Sequence, residues 1–218
     1  MEKRVKMKKL TLKEQAYLKM KQLIMQGEIK PGTSLTEREL TDLLGMSRTP
    51  IRSALEKLEA DGFIVNTPNK GPIVTNISIQ KLVDIYDLRI ALESHVAMHY
   101  NYLTITDQLK ESLEENLKKQ HEALLKYDEN EFSKIDTDFH LLILNYYGNE
   151  EITKVFTQIQ NQLMLLAIEV FKKNSGNLQY FYEDHVKVYE YLLQNKGSDA
   201  AKLLTDHLEF GKKTLVMK

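Results

Sequence analysis

The chain has 218 residues, of which 42% are hydrophobic and 28% charged, a composition typical of a folded globular protein and not of a disordered or membrane-embedded one. No stretch approaches the roughly 18–20 consecutive apolar residues that a membrane span requires. The basic segment 1–9 is followed by a charged amphipathic segment, which is unlike a signal peptide. The absence of cysteine excludes disulfides and thiolate metal sites and favours a cytoplasmic location.

The net charge of −1 conceals an uneven distribution of charge along the chain. Residues 1–77 contain 14 basic and 9 acidic side chains, whereas residues 78–218 contain 16 basic and 22 acidic ones. A basic front part joined to an acidic back part is typical of a module that binds a polyanion, followed by a second domain. Ordinary solvated surfaces also show charge excesses of this size, so the charge distribution alone is weak evidence for binding to a polyanion.

The first 77 residues predict three helices followed by a β-hairpin. An apolar helical pattern begins at Leu12 and ends at Gly27, and a second helix begins with the capping-box sequence Thr36-Glu-Arg-Glu39. Ser47 is a suitable N-cap for a third helix, which Gly62 closes. This order, with a tight turn between the second and third helices, describes a winged helix-turn-helix. The positions expected to be buried are Leu40, Leu43 and Leu44 in the second helix and Ile51, Leu55 and Leu58 in the third; the expected strands are Phe63–Val65 and Pro72–Thr75, joined by the polar turn Pro68–Gly71.

Beyond residue 78 the strand signals end and six amphipathic helices are predicted. Because the breaks between them are short, neighbouring helices should pack antiparallel in a bundle. The predicted fold is therefore mainly α, with a winged helix-turn-helix domain at residues 1–77 and an all-α antiparallel bundle of six helices at residues 78–218. The expected helices are 79–102, 105–127, 129–147, 149–173, 177–195 and 198–216, with breaks at Thr104, Asp128–Glu129, Gly148–Asn149, Asn174–Gly176 and Gly197.

Arg48 and Arg52 lie four residues apart on the third helix and therefore share one face, which points away from the apolar stripe. Arginine can contact guanine O6 and N7 in a bidentate manner in the major groove. Ser47 and Thr49, at the start of the same helix, can hold a phosphate. The alternative is that these are solvated side chains of an ordinary amphipathic helix. Two further candidates for DNA contact lie outside this helix: Arg38 in the preceding helix and Lys70 at the tip of the hairpin.

Three runs in this region are Pro31–Leu40, Leu44–Arg52, and Ala54–Leu58 with Asp61-Gly62. Together they resemble the GntR family of transcriptional regulators. They include nearly every residue that begins or ends a predicted element. The resemblance implies a homodimer that binds double-stranded DNA at a near-palindromic operator. It also implies that Arg38, Arg48 and Arg52 are the main DNA contacts, and that the wing at Asn69-Lys70-Gly71 reaches the minor groove.

Four residues of the predicted bundle form a candidate metal site. Asp136 and His140 lie four residues apart on one helical face, and His185 and His207 each lie in the middle of a later helix. If all four point inward, they supply three imidazoles and one carboxylate. Such nitrogen-rich ligation suits Zn²⁺, Ni²⁺, Mn²⁺ or Fe²⁺, with zinc the ion expected to be seen. Four protein ligands on a metal that accepts six leave positions for water or a carboxylate, and a metal explains why buried Asp and His are tolerated.

His95 and His99 are a rival pair, because they too lie four residues apart on one predicted helix. No second group of candidate ligands accompanies them, and His99 lies near the end of its helix, before a polar turn. A surface or packing role is therefore favoured for both histidines.

Four further segments of the second part are Ile135–Ile143, Gly148-Asn149, Asp184-His185 and Asp206–Leu208. They make this part similar to the FCD type of GntR effector domain, and its six predicted helices match the shorter, VanR-like branch of that type. In that type an Asp-x3-His pair and two later histidines hold a divalent metal, and small organic acids such as sugar acids or lactate are the usual effectors. Arg89, four residues before Glu93, matches a recurring Arg-x3-Glu pattern, and two roles stay open for it: anchoring an effector carboxylate, or forming an intrahelical salt bridge.

The sequence thus predicts a DNA-binding transcriptional repressor whose C-terminal domain binds a divalent metal and, through it, a small carboxylate effector that modulates operator binding. Two alternatives stand beside it. A metal-dependent hydrolase can use three histidines and a carboxylate to activate water, but no general base or nucleophile accompanies the ligands, and the DNA-binding part would be unexplained. An architectural DNA-binding dimer without an effector would leave the pattern of buried ligands unexplained.

Overall fold

The computed structural model describes residues 10–68, 70–103, 105–173 and 178–217. The basic segment 1–9, Asn69 of the expected wing, and the expected breaks at Thr104 and Asn174–Gly176 lie outside these ranges. The chain divides into two compact units, with the boundary between Asn76 and Ile77. Within the described ranges, no helix is long and apolar enough to cross a membrane.

The first unit contains three helices and a two-stranded antiparallel sheet, which confirms the predicted winged helix-turn-helix. In the sheet, Ile64 lies opposite Val74 and Thr67 lies opposite Gly71. A bridge between Ser34 and Ile73 attaches the segment before the second helix to the hairpin. The elements are α1 (Leu12–Met25), α2 (Glu37–Leu44), α3 (Arg48–Ala60), β1 (Ile64–Thr67) and β2 (Gly71–Val74).

The predicted capping box begins α2, since the Thr36 hydroxyl accepts from the Glu39 N–H and the Glu39 carboxylate accepts from the Thr36 N–H. Gly45 ends this helix with a φ of 62°, a left-handed conformation that turns the chain sharply into α3. The prediction that Leu43 is buried is wrong, because its side chain is 59% exposed. Each helical residue advances by about 100°, so Leu43 and Leu44 lie on opposite sides of Leu40, and only the side with Leu44 is buried.

The second unit is all-helical, as predicted, and its described residues form six helices. Its apolar core has two parts, one around Phe139 and Leu204 and the other around Phe171 and Phe181. Polar side chains of three helices lie against both parts of this core, where they build the candidate site. The helices are α4 (Ile79–His99), α5 (Asp107–Leu125), α6 (Glu129–Tyr147), α7 (Glu150–Lys173), α8 (Leu178–Leu193) and α9 (Gly197–Val216).

The start of α9 packs closely on the end of α4. Asn101 donates to the Ser198 hydroxyl at 3.0 Å, and the Asn101 side-chain oxygen accepts from the Ser198 N–H at 3.4 Å. Gly197 makes this approach possible, because a Cβ there would lie 2.4 Å from the Ala97 carbonyl oxygen and 2.8 Å from the Asn101 nitrogen. The contact fixes α9, which carries one of the predicted ligands, relative to α4.

We expect Gly197→Ala to lower the free energy of unfolding by about 1–3 kcal/mol, because the added Cβ meets backbone atoms that move only if α4 and α9 separate. Gly211→Ala, in the same helix, is the matched control. There a Cβ would lie 3.0 Å from the Tyr86 hydroxyl oxygen, at the end of a side chain that can shift, so a smaller loss is expected. Urea unfolding of both variants measures the difference, and an equal loss would contradict the argument.

Candidate metal centre and nucleic-acid interface

The structure brings the four predicted metal ligands together. Asp136 and His140 project from consecutive turns of α6, His185 from α8 and His207 from α9. All four side chains are buried, and one ligand atom from each lies within 4.8 Å of the others. Within the described ranges this is the one group of three or more such residues that could hold a metal ion.

The Nδ1 atom of each of the three imidazoles lies beside an oxygen atom from another helix, and in His185 and His207 this contact is a hydrogen bond. A hydrogen bond donated by Nδ1 leaves the lone pair on Nε2, which is the atom free to bind a metal. The Nε2 atoms of His140 and His185 lie on the side of Asp136, 3.9 and 3.7 Å from its carboxylate oxygens. The contacts are His140 Nδ1 with Glu93 Oε2 at 2.5 Å, His185 Nδ1 with Gln120 Oε1 at 2.8 Å, and His207 Nδ1 with Asp184 Oδ2 at 3.3 Å.

Two buried amides of α5 determine the tautomer of His185. Asn116 Nδ2 donates to the carbonyl oxygen of Ile135 at 3.0 Å, and a carbonyl can only accept. The Asn116 side-chain oxygen therefore accepts from Gln120 Nε2, at 2.7 Å. This leaves Gln120 Oε1 facing His185, so His185 Nδ1 must carry the proton and Nε2 the lone pair.

The centre of the group contains buried nitrogen atoms without hydrogen-bond partners. His140 Nε2 and His185 Nε2 have none, and their distances to Asp136 oxygens, 3.9 and 3.7 Å, are too long for hydrogen bonds. An unsatisfied buried polar group costs about 1–3 kcal/mol. Burial lowers the pKa of His185 well below its ordinary value, and the neighbouring His207 and His140 lower it further, so the ring is neutral. Three imidazoles and a carboxyl group that converge in this way fit a divalent metal.

Arg89 and Glu93 of α4 lie behind His140. Arg89 Nε donates to Glu93 Oε1 at 2.7 Å, which is the intrahelical salt bridge that the sequence allowed. Burial raises the pKa of Glu93, but Arg89 and His140 outweigh it and bring the pKa to about 2, so Glu93 is a carboxylate. Arg89 Nη2 is buried without a hydrogen-bond partner. Glu93 thus satisfies only part of the hydrogen-bonding capacity of Arg89.

Arg89 also lines a cavity of about 20 Å³ that borders Asp136 and His207. This volume is about that of one or two water molecules. Tyr86 and Gly211 form part of the same wall. A larger open groove of about 460 Å³ lies between α5 and α6, but none of the four candidate ligands lines it.

The residues predicted to contact DNA lie on the surface of the first unit. Arg38 of α2 and Arg48 and Arg52 of α3 are exposed, as are Ser47 and Thr49 at the start of α3. Ser47 occupies the N-cap position but its side chain makes no capping hydrogen bond, so its hydroxyl is available to a ligand. The arrangement presents arginines and a helix N-terminus on one exposed region, which suits a phosphate backbone and base edges.

Arg52 is held by Glu37 of α2 in a bidentate salt bridge, with Nε–Oε1 at 2.9 Å and Nη2–Oε2 at 3.2 Å. This hydrogen bonding lowers the pKa of Glu37, so Glu37 stays ionised. The pair fixes the direction of a long side chain that would otherwise sample many rotamers. Sequence reasoning did not identify Glu37 as a partner of Arg52.

At the wing, Lys70 is exposed, and its carbonyl oxygen accepts from the Ser34 hydroxyl at 3.1 Å. Gly71 has a φ of 72°, where a side chain would be strained, and this explains glycine at the end of the turn. The position of Asn69, the third residue of the expected wing tip, lies outside the described residues.

The rival pair, His95 and His99, is not part of the buried group. The two rings contact each other at 4.4 Å, and His99 packs against Tyr147 at 5.1 Å. His99 Nδ1 lies 2.8 Å from the His95 carbonyl oxygen of its own helix. Both side chains lie on the outer side of α4.

Comparisons with known proteins decide the family. The model of "Bacterial regulatory proteins, gntR family" matches residues 12–74, and the "FCD domain" model matches residues 84–210. Over 208 residues the chain is 30% identical to the HTH-type transcriptional repressor RspR of Escherichia coli, covering 90% of this chain and 85% of that protein. The chain belongs to the GntR family. This GntR regulator is a DNA-binding transcriptional regulator with an FCD domain and not an enzyme, so the hydrolase alternative is wrong.

Other similar proteins agree with this assignment. The GntR regulator is 28% identical to the Nta operon transcriptional regulator of Aminobacter aminovorans, over 83% of each chain. It is 27% identical to the gluconate operon transcriptional repressor of Bacillus subtilis, over 83% of this chain and 74% of that protein. A putative transcriptional regulator GntR from Rhodococcus sp. RHA1 has the same fold, with a TM-score of 0.77 at 18% identity over 94% of this chain and 98% of that one. The E. coli protein McbR/YncC also shares the fold, with a TM-score of 0.71 at 21% identity, over 92% and 94% of the two chains.

Asn116 and Gln120 are parts of the site in this GntR regulator that sequence reasoning missed. They lie four residues apart within the buried stripe of α5, between Leu113 and Ala123. Polar residues at stripe positions were the available signal, because buried amides require partners. Their partners on α6 and α8 are distant in sequence, so only the fold reveals them.

Replacing Gln120 by leucine should weaken metal binding about 10- to 100-fold, because the His185 ring loses the acceptor that orients it. Gln120→Glu keeps an acceptor toward His185 but loses the donor to the Asn116 oxygen, so it should retain more affinity than Gln120→Leu and less than the unmodified protein. Competition against a chelator of known affinity measures both variants. Equal affinity of the Gln120→Leu variant and the unmodified protein would show that the amide does not orient this ligand.

Proposed function

We propose that this GntR regulator is a metal-dependent transcriptional repressor of the VanR-like branch. Residues 1–77 bind a near-palindromic operator as part of a homodimer, and residues 78–218 bind a divalent metal and a small carboxylate effector that modulates operator binding. The observation that carries the proposal is the convergence of four buried ligand atoms within 4.8 Å, in a chain that also exposes the arginines of a helix-turn-helix. Relatives named as repressors support the direction of regulation.

In the DNA-binding part, Arg48 and Arg52 of α3 enter the major groove, where an arginine reads guanine O6 and N7. Arg38 contacts the phosphate backbone or bases from α2. Ser47 and Thr49 hold a phosphate at the N-terminus of α3. The wing, with Lys70 and Gly71, reaches the minor groove. These roles are supported by the exposure of the polar side chains on one compact unit.

In the sensing part, Asp136, His140, His185 and His207 hold the metal. Zinc is the first candidate, and nickel, manganese and iron suit the same ligands. The ion would join α6, α8 and α9 and offer coordination positions to a carboxylate. The unpartnered Nε2 atoms of His140 and His185 support this role, because without an ion they are buried at a cost.

The effector carboxylate binds beside Arg89, whose buried Nη2 lacks a hydrogen-bond partner. The adjoining cavity, about 20 Å³, is too small for a hydroxy acid, so an effector must move the helices that line it. Those helices include α4 and α9, which pack closely through Gly197. A displacement of α4, the first helix after the DNA-binding unit, is therefore a route by which binding alters the spacing of two DNA-binding units in a dimer. A relative named as a gluconate operon repressor makes gluconate the first sugar acid to test.

Arg89→Lys tests the effector contact. Lysine keeps a positive charge beside Glu93. It has a single donor nitrogen, however, whereas the guanidinium can donate to Glu93 from Nε and to an effector from Nη2. The variant should bind metal normally and lose at least about 10-fold of the effector's influence on operator affinity, within the 5- to 150-fold range of typical allosteric coupling. Fluorescence anisotropy with and without effector measures the change. An unchanged response would show that Arg89 does not contact the effector and only forms the salt bridge with Glu93.

The function itself is tested by selecting double-stranded DNA from a random pool with the full chain, and then measuring binding of the selected sequence. Metal-free, zinc-loaded and nickel-loaded protein are compared, each with gluconate, lactate and uncharged glucose as the matched control. We expect two inverted half-sites and a carboxylate effect that requires the metal. A response that is the same without metal would refute the coupling of metal and effector, while DNA selection without half-site symmetry would refute the homodimeric operator.

A further inference from the structure

The outer face of α4 carries a stripe of residues that the described part of the unit leaves mostly exposed. The stripe follows a spacing of four, three, four and three residues, which is the spacing that one helix presents to another in a coiled coil. Most of its members are exposed, and Met98 is 52% exposed although it is large and apolar. The stripe consists of Asp84, Leu88, Ala91, His95 and Met98, with Asp87, Leu92 and His99 at its edges.

We propose that two copies of the chain associate through this stripe, with α4 antiparallel to α4 and the two-fold axis at Ala91. The inference rests on the proposed homodimer and names its surface. A two-fold interface uses the same patch on both copies, so residues equally far before and after the axis must suit each other. Asp87 lies four residues before Ala91 and His95 four residues after it. Antiparallel pairing therefore puts the acidic half of each stripe opposite the histidine half of the other copy.

The charges distinguish this arrangement from its alternatives. A parallel pairing would set Asp84 and Asp87 against their own copies, which opposes like charges. Asp87 remains 60% exposed although it accepts from Lys212 at 2.9 Å, so it can meet a second partner. His99 uses Nδ1 toward its own helix, which leaves Nε2 for a contact outside it.

The residue at the axis has the size that close packing requires. Helices pack at about 8–10 Å between axes, and the closest approach falls where two identical side chains meet. Ala91 places only a methyl group there, while Leu88 and Leu92, half-buried at present, lie on either side of it. Tyr147 extends the apolar surface past the end of the stripe through its contacts with His95 and His99.

The absence of cysteine from the chain permits a direct test by cross-linking. In the full-length Ala91→Cys variant, the two new thiols would face each other across the axis and form a disulfide under mild oxidation. Gln108→Cys, exposed at the start of α5 and outside the stripe, is the control. We expect Ala91→Cys to convert mostly to a covalent dimer at a protein concentration at which Gln108→Cys stays mostly monomeric on a non-reducing gel. Equal cross-linking of the two variants would overturn the proposed axis.

Light scattering after size exclusion provides an independent measurement. Ala91→Arg should shift the protein from dimer to monomer at micromolar concentration, since two arginines would meet at the axis, whereas Gln108→Arg should remain dimeric. His95→Asp should weaken the dimer, and adding Asp87→His to it should restore the affinity. Circular dichroism and metal content check that each variant is folded.

The outcomes separate this surface from the proposed function. If the unmodified protein is a monomer, the homodimer itself is wrong. If the protein is a dimer that binds metal and operator, yet Ala91→Arg stays dimeric, only the α4 surface is wrong. If Ala91→Arg is a folded, metal-binding monomer with weakened operator binding, the surface and the homodimer are both supported.

Discussion

Replacing His185 and His207 together by alanine is expected to remove the bound metal completely, from about one ion per chain to none after dialysis. The double variant loses two of the three imidazoles that converge within 4.8 Å. The two ligands that remain, Asp136 and His140, lie on a single helix and bind a metal only weakly. Elemental mass spectrometry of the dialysed proteins measures the content. In the same samples, added zinc should raise the melting temperature of the unmodified protein and not that of the variant, because a ligand at about 100 times its Kd stabilises the folded state by about 2.7 kcal/mol.

The matched control is the double replacement of His95 and His99 by alanine. It also removes two histidines from the helical domain, but neither side chain reaches the buried group. Since that group lies within one chain, a weakened contact between copies would leave it intact. The control should keep its metal and its zinc-dependent melting temperature. Full metal content in the His185→Ala, His207→Ala variant would refute the ligand assignment, and loss of metal in the control would restore the rival pair.

Local signals explain why so much of the fold could be predicted. The capping box at Thr36 and Glu39, the left-handed Gly45 and the hairpin turn before Gly71 each act within a few residues, so the sequence contains the complete cause. The error at Leu43 arose where tertiary packing decides. A helix of eight residues has room for one narrow buried stripe, and which leucines enter it depends on the position of α3.

The candidate site likewise combines features that are local in the sequence with features that only helix packing creates. The spacing of Asp136 and His140 is a local feature of α6 and could be recognised without a structure. The convergence of His185 and His207 with them depends on the packing of three helices, and the sequence supported it only through the resemblance to FCD domains. The partner of His185 Nδ1, Gln120, lies 65 residues away in the chain. Such a contact leaves no periodic signal, apart from an amide at a position where an apolar residue is expected.

Arg52→Ala is expected to weaken operator binding roughly 10- to 100-fold, since a bidentate arginine contributes about that much discrimination at one base pair. Glu37 already orients the exposed guanidinium, so the Arg52 side chain loses little conformational entropy when it binds DNA. Lys19→Ala removes an exposed positive charge from α1 of the same unit and should leave affinity nearly unchanged. Titrations at several salt concentrations separate the two possible roles of Arg52. If it contacts phosphate, the slope of log affinity against log salt should fall by about 1; if it reads a base, the slope should stay and discrimination at one operator position should relax. Unchanged affinity in the Arg52→Ala variant would exclude α3 as the recognition helix in the orientation proposed.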